Sequence, residues 1–145
     1  MIIDLLESNK KARMLMMQGR MREALLIWTQ IVQEQPDWEG GSAYYEMAVC
    51  EEELGLYEEA REHFLGALRQ QPEYEYFIRG YASFLYMHGD VAEALAQHLK
   101  LIHMMITLNR QSEAERITVA AKELARRLNT PQAEIEALVA ETRRS

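Results

Sequence analysis

Small, aromatic and helix-breaking residues recur along the chain at fixed steps. Two stretches carry glycine, alanine, an aromatic residue and proline at the same four steps: Gly19, Ala24, Trp28 and Pro36, and then Gly55, Ala60, Phe64 and Pro72. A third stretch keeps only the glycine and the alanine, since Gly89 and Ala94 are followed by His98 and Ile106. The spacing of the three glycines indicates an internal repeat of about 34 residues.

Each of these residue types has a mechanical role in a pair of antiparallel helices. Glycine adopts the left-handed conformation that turns a chain back after a helix, and alanine lets two helices approach closely. The aromatic residue fills the space between neighbouring pairs. Proline ends the second helix because it has no amide hydrogen and clashes with the preceding turn. The repeat therefore predicts stacked helical hairpins.

Apolar residues keep a helical spacing after the third repeat, whose second helix is predicted to run to about Leu108. Two further helices with one apolar face follow, and we interpret them as a cap that covers the open end of the array. Capping pairs predict helix starts at Asp90 with Glu93 and at Ser112 with Glu115. We expect an entirely helical chain of about eight helices, with turns at Gly19, 36–41, Gly55, Pro72, Gly89, 109–111 and Asn129.

In this register the chain resembles the tetratricopeptide repeat family, whose unit is a helix-turn-helix of about 34 residues. The position that the family keeps small in the first helix is alanine in every repeat: Ala12, Ala48 and Ala82. The first repeat departs from the family at Ser8, where a large aromatic residue is usual. The resemblance implies an all-α, right-handed superhelical solenoid of antiparallel helix pairs. It would form a single domain over 1–145, with repeats at about 5–38, 41–74 and 75–108 and capping helices at about 112–144.

The charge is concentrated in one segment. The net charge is −7, and residues 37–62 hold nine acidic residues against one basic residue, so this segment carries −8. We expect the paired glutamates Glu51 to Glu53 and Glu58 to Glu59, next to the turn between two helices, on solvated faces. Nucleic acid and anionic membranes require a basic face, so the composition disfavours both as partners. The absence of a long apolar run or a signal peptide, together with the single Cys50, predicts a cytoplasmic protein without membrane insertion.

Function in stacked hairpins is expected in the groove formed by the first helix of each pair. The resemblance implies a peptide-binding groove lined by thirteen residues: Asn9, Arg13, Met16, Met17, Tyr45, Val49, Glu52, Glu53, Tyr76, Arg79, Ser83, Tyr86 and Met87. Tyrosine and methionine suit adaptable apolar contacts with a peptide. We expect Arg13 and Arg79 to anchor acidic or carbonyl groups of the partner, and Glu52 and Glu53 to select basic ones. The alternative is that several of these side chains pack inside the array.

Catalytic and metal-binding chemistry lacks a matching pattern. His98 and His103 lie five residues apart, and no cysteine or carboxylate nearby completes a metal site. No phosphate loop or nucleophile motif is found, so we predict no catalytic residue, no metal and no cofactor. The family's carboxylate clamp is also disfavoured, because Tyr45 and Val49 stand where polar partners would be expected. Cys50 has no basic neighbour in the pattern and is predicted to be a packed thiol.

Two functions stay open. The first is non-catalytic binding of a partner protein's peptide segment in the Tyr/Met-lined groove, as an adaptor or a chaperone. The second is a structural or self-assembling subunit that associates through its apolar repeat ends and forms a homo-oligomer. The apolar start of the chain, with Met1, Ile2, Ile3, Leu5 and Leu6, favours the second.

Overall fold

The computed structural model describes residues 4–144, so Met1, Ile2 and Ile3 lie outside the described residues. Its elements are eight α-helices and one short 3₁₀ helix: α1 (Leu5–Met17), α2 (Met21–Glu34), the 3₁₀ helix (Trp38–Gly41), α3 (Ser42–Glu53), α4 (Tyr57–Gln70), α5 (Glu75–His88), α6 (Val91–Thr107), α7 (Gln111–Arg127) and α8 (Gln132–Arg144). No strand occurs between residues 4 and 144. The prediction of an all-α chain is confirmed, and the helices are interrupted where the sequence predicts turns.

Four of the turns between consecutive helices share one backbone geometry. Gly19, Gly55, Asn109 and Asn129 are left-handed, with φ of 76°, 77°, 58° and 57°. The next residue in each turn donates its amide to the carbonyl five residues back, and these bonds join Arg20 to Leu15, Leu56 to Glu51, Arg110 to Met105 and Thr130 to Ala125. Such a bond satisfies a carbonyl at the end of the first helix. The role predicted for glycine is confirmed at Gly19 and Gly55, and asparagine takes it in the two C-terminal turns.

Gly89 does not take the left-handed conformation predicted from its place in the repeat. Its amide donates to the Leu85 carbonyl at 3.0 Å, and Asp90 then caps α6 by accepting the Glu93 amide at 2.9 Å. A Cβ atom on Gly89 would lie 2.8 Å from the Leu85 Cα, closer than side chains tolerate. Glycine is therefore required here by close contact, and the predicted cap at Asp90 is confirmed.

The predicted cap at Ser112 is wrong. Helix α7 begins at Gln111, which places Ser112 inside the first turn instead of before it. Arg110 occupies the cap position and makes two hydrogen bonds with the Glu113 carboxylate, at 2.7 and 2.8 Å. An ion pair across the first turn thus replaces the hydroxyl cap, and it also keeps a carboxylate near the positive end of the helix dipole.

The repeated small and aromatic positions form the contacts between helices. The alanines at these positions are at most 2% exposed: Ala12, Ala24, Ala48, Ala60, Ala82 and Ala94. The aromatic positions Trp28 and Phe64 are also buried, as is His98, which replaces the aromatic residue in the third repeat. The repeat register is therefore confirmed.

The chain forms two compact units, one ending at Phe77 and the other beginning at Ile78. In the first unit, α1 packs on α2, α2 on α3 and α3 on α4, with Trp28 and Ile31 in the core. In the second unit, α6 packs on α7, and α8 packs on both around Ile102 and Ile135. Each unit contains a cavity lined by residues of the predicted groove, described below.

Candidate functional site

A cavity of about 470 Å³, here called the first cavity, opens in the first unit. Its wall combines side chains from α1, the 3₁₀ helix, α3 and the chain leading into α5, including Arg13, Glu39, Tyr45, Glu46, Tyr74 and Tyr76. The turn after α4 brings the last two of these residues against α3. The cavity therefore combines aromatic rings with charges of both signs.

Four aromatic rings form one side of the first cavity. The Tyr45 ring lies 4.7 Å from that of Tyr76 and stacks on Phe77 at 5.2 Å, and the Tyr74 ring meets Phe77 edge-on at 4.8 Å. Tyr45 and Phe77 are buried, whereas Tyr74 is 46% and Tyr76 52% exposed. Burial raises the pKa of Tyr45 far above its usual range, so its hydroxyl stays protonated. The buried rings hold the two exposed rings in place.

A carboxylate lies beside these rings. Glu46 is 6% exposed, and its Oε1 lies 3.5 Å from Nη1 of Arg13, which is itself half exposed. Burial raises the pKa of Glu46, and the Arg13 charge opposes that shift without cancelling it. The Arg13 guanidinium also lies over the Trp28 ring, 5.7 Å from its centroid. Arg13 thus shares its charge between a ring of the core and a carboxylate of the cavity.

The second unit contains a separate cavity of about 380 Å³, here called the second cavity. Its wall includes Arg79, Ser83, Tyr86, His98, Glu113 and Arg116. Arg79 reaches the Glu113 carboxylate at 2.5 Å, and Arg110 binds the same carboxylate. The guanidinium of Arg127 lies 5.0 Å from the centroid of the Tyr86 ring. Arginines thus outnumber carboxylates around this cavity.

His98 lines the second cavity, and a backbone carbonyl holds its ring in place. Its Nδ1 donates to the carbonyl of Ala94 at 2.7 Å, one turn earlier on α6. Burial lowers the pKa of His98, although the hydrogen bond to Ala94 acts in the opposite direction. The imidazole packs near Tyr86, with ring centroids 5.8 Å apart.

The predicted groove residues are distributed over several places. Arg13, Tyr45 and Tyr76 line the first cavity, and Arg79, Ser83 and Tyr86 line the second. The remaining seven are not among the residues that line either cavity: Asn9, Met16, Met17, Val49, Glu52, Glu53 and Met87.

Met16, Met17 and Glu53, three of these seven residues, lie in three different environments. The Met16 sulfur accepts a hydrogen bond from the Trp28 indole at 3.2 Å, and Met17 is 89% exposed. Glu53 lines a further cavity with Arg20 and Arg22, beside the turn between α1 and α2. Glu53 therefore lies at a different site from the rings of Tyr45 and Tyr76.

The two arginines expected to anchor a partner's acidic groups already face carboxylates of this chain. Arg13 faces Glu46, and Arg79 faces Glu113. The prediction that Glu51 lies on a solvated face is wrong, since Glu51 is buried, and Glu46 of the same acidic segment is buried as well. The Glu51 carboxylate is instead hydrogen-bonded to the imidazole of His63, with 2.6 Å between Oε1 and Nδ1.

Sequence reasoning missed part of each cavity. Glu46 and Tyr74 were absent from the predicted groove, although the aromatic run "YEYF" at 74–77 was a usable signal for Tyr74. Glu113 and Arg116 were missed because α7 was interpreted only as a cap. The sequence feature that could have identified Glu113 and Arg116 is the presence of charged residues on the helix that directly follows the third repeat.

Three further properties bear on function. None of the helices between residues 4 and 144 combines the length and the apolar character needed to cross a membrane. Within the same residues, no three side chains of His, Cys, Asp or Glu come together as metal ligands would. Cys50 is buried, and burial raises the pKa of its thiol to about 12.

Comparison with known proteins assigns the fold to a family. No curated protein matches the chain. A family model described as tetratricopeptide repeat matches residues 9–75 and again residues 51–102. Because the two overlapping matches cover more than half of the chain, the protein belongs to the tetratricopeptide repeat family.

Proposed function

We propose that this protein is a non-catalytic interaction module that binds a peptide segment of a partner protein, as an adaptor or a chaperone does. Tetratricopeptide repeats generally mediate protein–protein interaction and are generally not catalytic. The observation that carries the proposal is the pair of half-exposed rings, Tyr74 and Tyr76, at the first cavity. Exposed tyrosines of this kind offer a broad apolar contact with one polar tip.

The packing around Tyr74 and Tyr76 supports a binding role for these two exposed rings. Tyr45 and Phe77 are buried and contact the exposed rings, so the rings lose little freedom when a ligand arrives. A contact surface that is ordered in advance costs less on binding than one that must be ordered. For a short flexible peptide we expect a Kd of about micromolar order, because ordering the peptide offsets much of the apolar burial.

The titratable groups also support a non-catalytic role. Cys50, with its thiol pKa of about 12, carries almost no thiolate at neutral pH. The ring nitrogen Nδ1 of His98 is bound to a backbone carbonyl, and burial disfavours its charged form. A cytoplasmic location belongs to the same proposal and is supported by the single cysteine, since small secreted domains use paired cysteines.

Tyr76→Ala tests the proposal, with Tyr57→Ala as the matched control. Tyr57 is 43% exposed but lies on α4, outside both cavities. A peptide array selects a binding peptide, and fluorescence anisotropy then measures its Kd with each variant. We expect Tyr76→Ala to weaken binding by about tenfold or more, a typical loss for a central aromatic contact, and Tyr57→Ala to leave the Kd unchanged. Equal Kd values for Tyr76→Ala and the wild-type protein would show that the first cavity does not hold the peptide.

A second candidate function is self-association through the apolar end of the first repeat. Leu6, Met14 and Met17 share one face of α1 and are 63%, 60% and 89% exposed. Leu26 on α2 adds a fourth exposed apolar side chain. Light scattering at micromolar concentration tests this candidate. A dimer mass that Met17→Asp converts to a monomer mass would support it, and a monomer mass for the wild-type protein would exclude it at that concentration.

A further inference from the structure

Glu46 is a buried carboxylate that makes only a long contact with its ionic partner, Arg13. Among residues 4–144, Arg13 is the cation that lies within 4 Å of this carboxylate, through one nitrogen at 3.5 Å. A strong guanidinium–carboxylate pair makes two parallel hydrogen bonds at about 2.8 Å. Arg13 is also engaged with the Trp28 ring and is half exposed. The carboxylate therefore keeps capacity for a second, closer cation.

The exposed tyrosines supply the other half of a cation site. A guanidinium or ammonium group over an aromatic ring is attracted by the negative face of the ring. Tyr74 and Tyr76 line the same cavity as Glu46 and are each about half exposed. Their rings are backed by Phe77 and Tyr45, which fixes the orientation of the faces open to a ligand.

The charge balance of the cavity also favours a cation. Glu39 and Glu46 bring two negative charges to the wall and Arg13 brings one positive charge, which gives −1. The surrounding segment, residues 37–62, carries −8. This field attracts basic ligands over a distance of about 10 Å at moderate salt, and it repels acidic ones.

We propose that the first cavity binds a basic side chain of the partner segment, with arginine preferred over lysine, between the Glu46 carboxylate and the ring of Tyr76. This inference rests on the proposed function and names the chemistry of its ligand. Arginine is preferred because its planar guanidinium stacks on a ring and pairs with a carboxylate at the same time, whereas an ammonium group acts as a point charge. The bound cation offsets the desolvation that burial imposes on Glu46.

Four peptide libraries test the inference on the unmodified protein. Each consists of nonapeptides with neutral and apolar residues at eight positions and one fixed central residue: arginine, citrulline, lysine or norleucine. Citrulline keeps the shape of arginine without its charge, and norleucine keeps the four-carbon chain of lysine without its ammonium group. We expect the arginine library to bind best, and about tenfold more tightly than the citrulline library, as measured by fluorescence anisotropy.

Glu46→Gln tests whether the preference for arginine over citrulline arises at Glu46, and Glu59→Gln serves as the matched control. Glu59 belongs to the same acidic segment but is exposed on α4 and lines neither cavity. We expect Glu46→Gln to abolish most of the preference for arginine over citrulline, and Glu59→Gln to keep it. The comparison of the four libraries on the wild-type protein does not depend on the folding of any variant, so it tests the preference for arginine even if Glu46→Gln fails to fold.

Each outcome separates this inference from the proposed function. If all four libraries bind equally and Tyr76→Ala weakens all of them, peptide binding stands and the basic side chain is wrong. If Glu59→Gln lowers the arginine preference as much as Glu46→Gln does, the preference comes from the general acidity of the segment, and the site is refuted. If Tyr76→Ala weakens none of the libraries, both the site and the proposed function fail.

Discussion

The carboxylate of Glu46 on α3 lies 3.5 Å from the guanidinium of Arg13 on α1, so that the first helices of two successive repeats are joined by a partly buried ion pair. Burial raises the pKa of Glu46 despite this partner. The pair therefore compensates only part of the cost of burying the carboxylate. The buried Glu46 carboxylate therefore lowers the stability of the fold at neutral pH, as charged groups placed for binding often do.

The sign of the Glu46 shift predicts how stability depends on pH. The pH window runs from the ordinary pKa of glutamate, which applies in the unfolded state, up to the raised pKa of Glu46 in the folded state. Within this window the folded state binds more protons than the unfolded state. The free energy of unfolding therefore falls as the pH rises through it. Glutamine cannot ionise. We expect Glu46→Gln to be more stable than the wild-type protein at pH 7, and the difference to shrink as the pH falls below the window. Urea unfolding over this pH range measures it; a variant less stable than wild type at pH 7 would contradict it.

Ala60→Leu is expected to destabilise the protein by about 1 to 3 kcal/mol. Ala60 is fully buried on α4, where a larger side chain would overpack the contact with the neighbouring helix. The exposed neighbour Glu59 provides the control, and Glu59→Gln should change stability by less than about 0.5 kcal/mol. Urea unfolding of the two variants measures both changes in the free energy of unfolding. Equal changes would argue against a close helix contact at Ala60.

Gly41→Ala is expected to cost more stability than Gly55→Ala. Both glycines are left-handed, with φ of 98° and 77°, which costs a residue with a Cβ atom about 1 to 2 kcal/mol. At Gly55 an added Cβ meets nothing within 4 Å, but at Gly41 it would lie 3.3 Å from the Ala67 backbone and 3.2 Å from Gln70. Thermal melts should rank the variants in this order; the reverse order would mean that the approach of the 3₁₀ helix to α4 relaxes freely.

Cys50 is expected to react with thiol reagents only when the protein unfolds. The thiol is buried and its pKa is about 12, so both access and thiolate are lacking at pH 8. We expect modification by an aromatic disulfide reagent to be at least about a hundredfold slower in native buffer than in concentrated urea. Similar rates in the two solutions would show that α3 opens readily around this side chain.

The sequence predicted the helices well because the repeat places alanine, glycine and proline where packing requires them. Ala12, Ala48 and Ala82 follow a pattern that depends on helix geometry alone, and all three are buried. Gly89 fits the same pattern but serves a close contact with Leu85 instead of a left-handed turn. Residue type alone does not distinguish these two uses of glycine.

The candidate site was predictable only in part, because periodicity assigns a residue to a face without naming its neighbours. Tyr45 and Tyr76 were assigned to the groove, and they line the first cavity together. Glu46 was counted only as one of nine acids in residues 37–62, since nothing in the local sequence shows that Arg13 lies opposite. That contact joins residues from two different repeats and requires the packed structure.

The left-handed turns at Gly19, Gly55, Asn109 and Asn129 join their helices across only three or four residues. Loops this short close in well under a microsecond, and proteins dominated by contacts between neighbours in sequence fold in microseconds to milliseconds. The chain should therefore regain its helical circular dichroism signal within about a few milliseconds after dilution from urea. Its refolding rate should not depend on protein concentration, because the contacts formed in these turns lie within one chain.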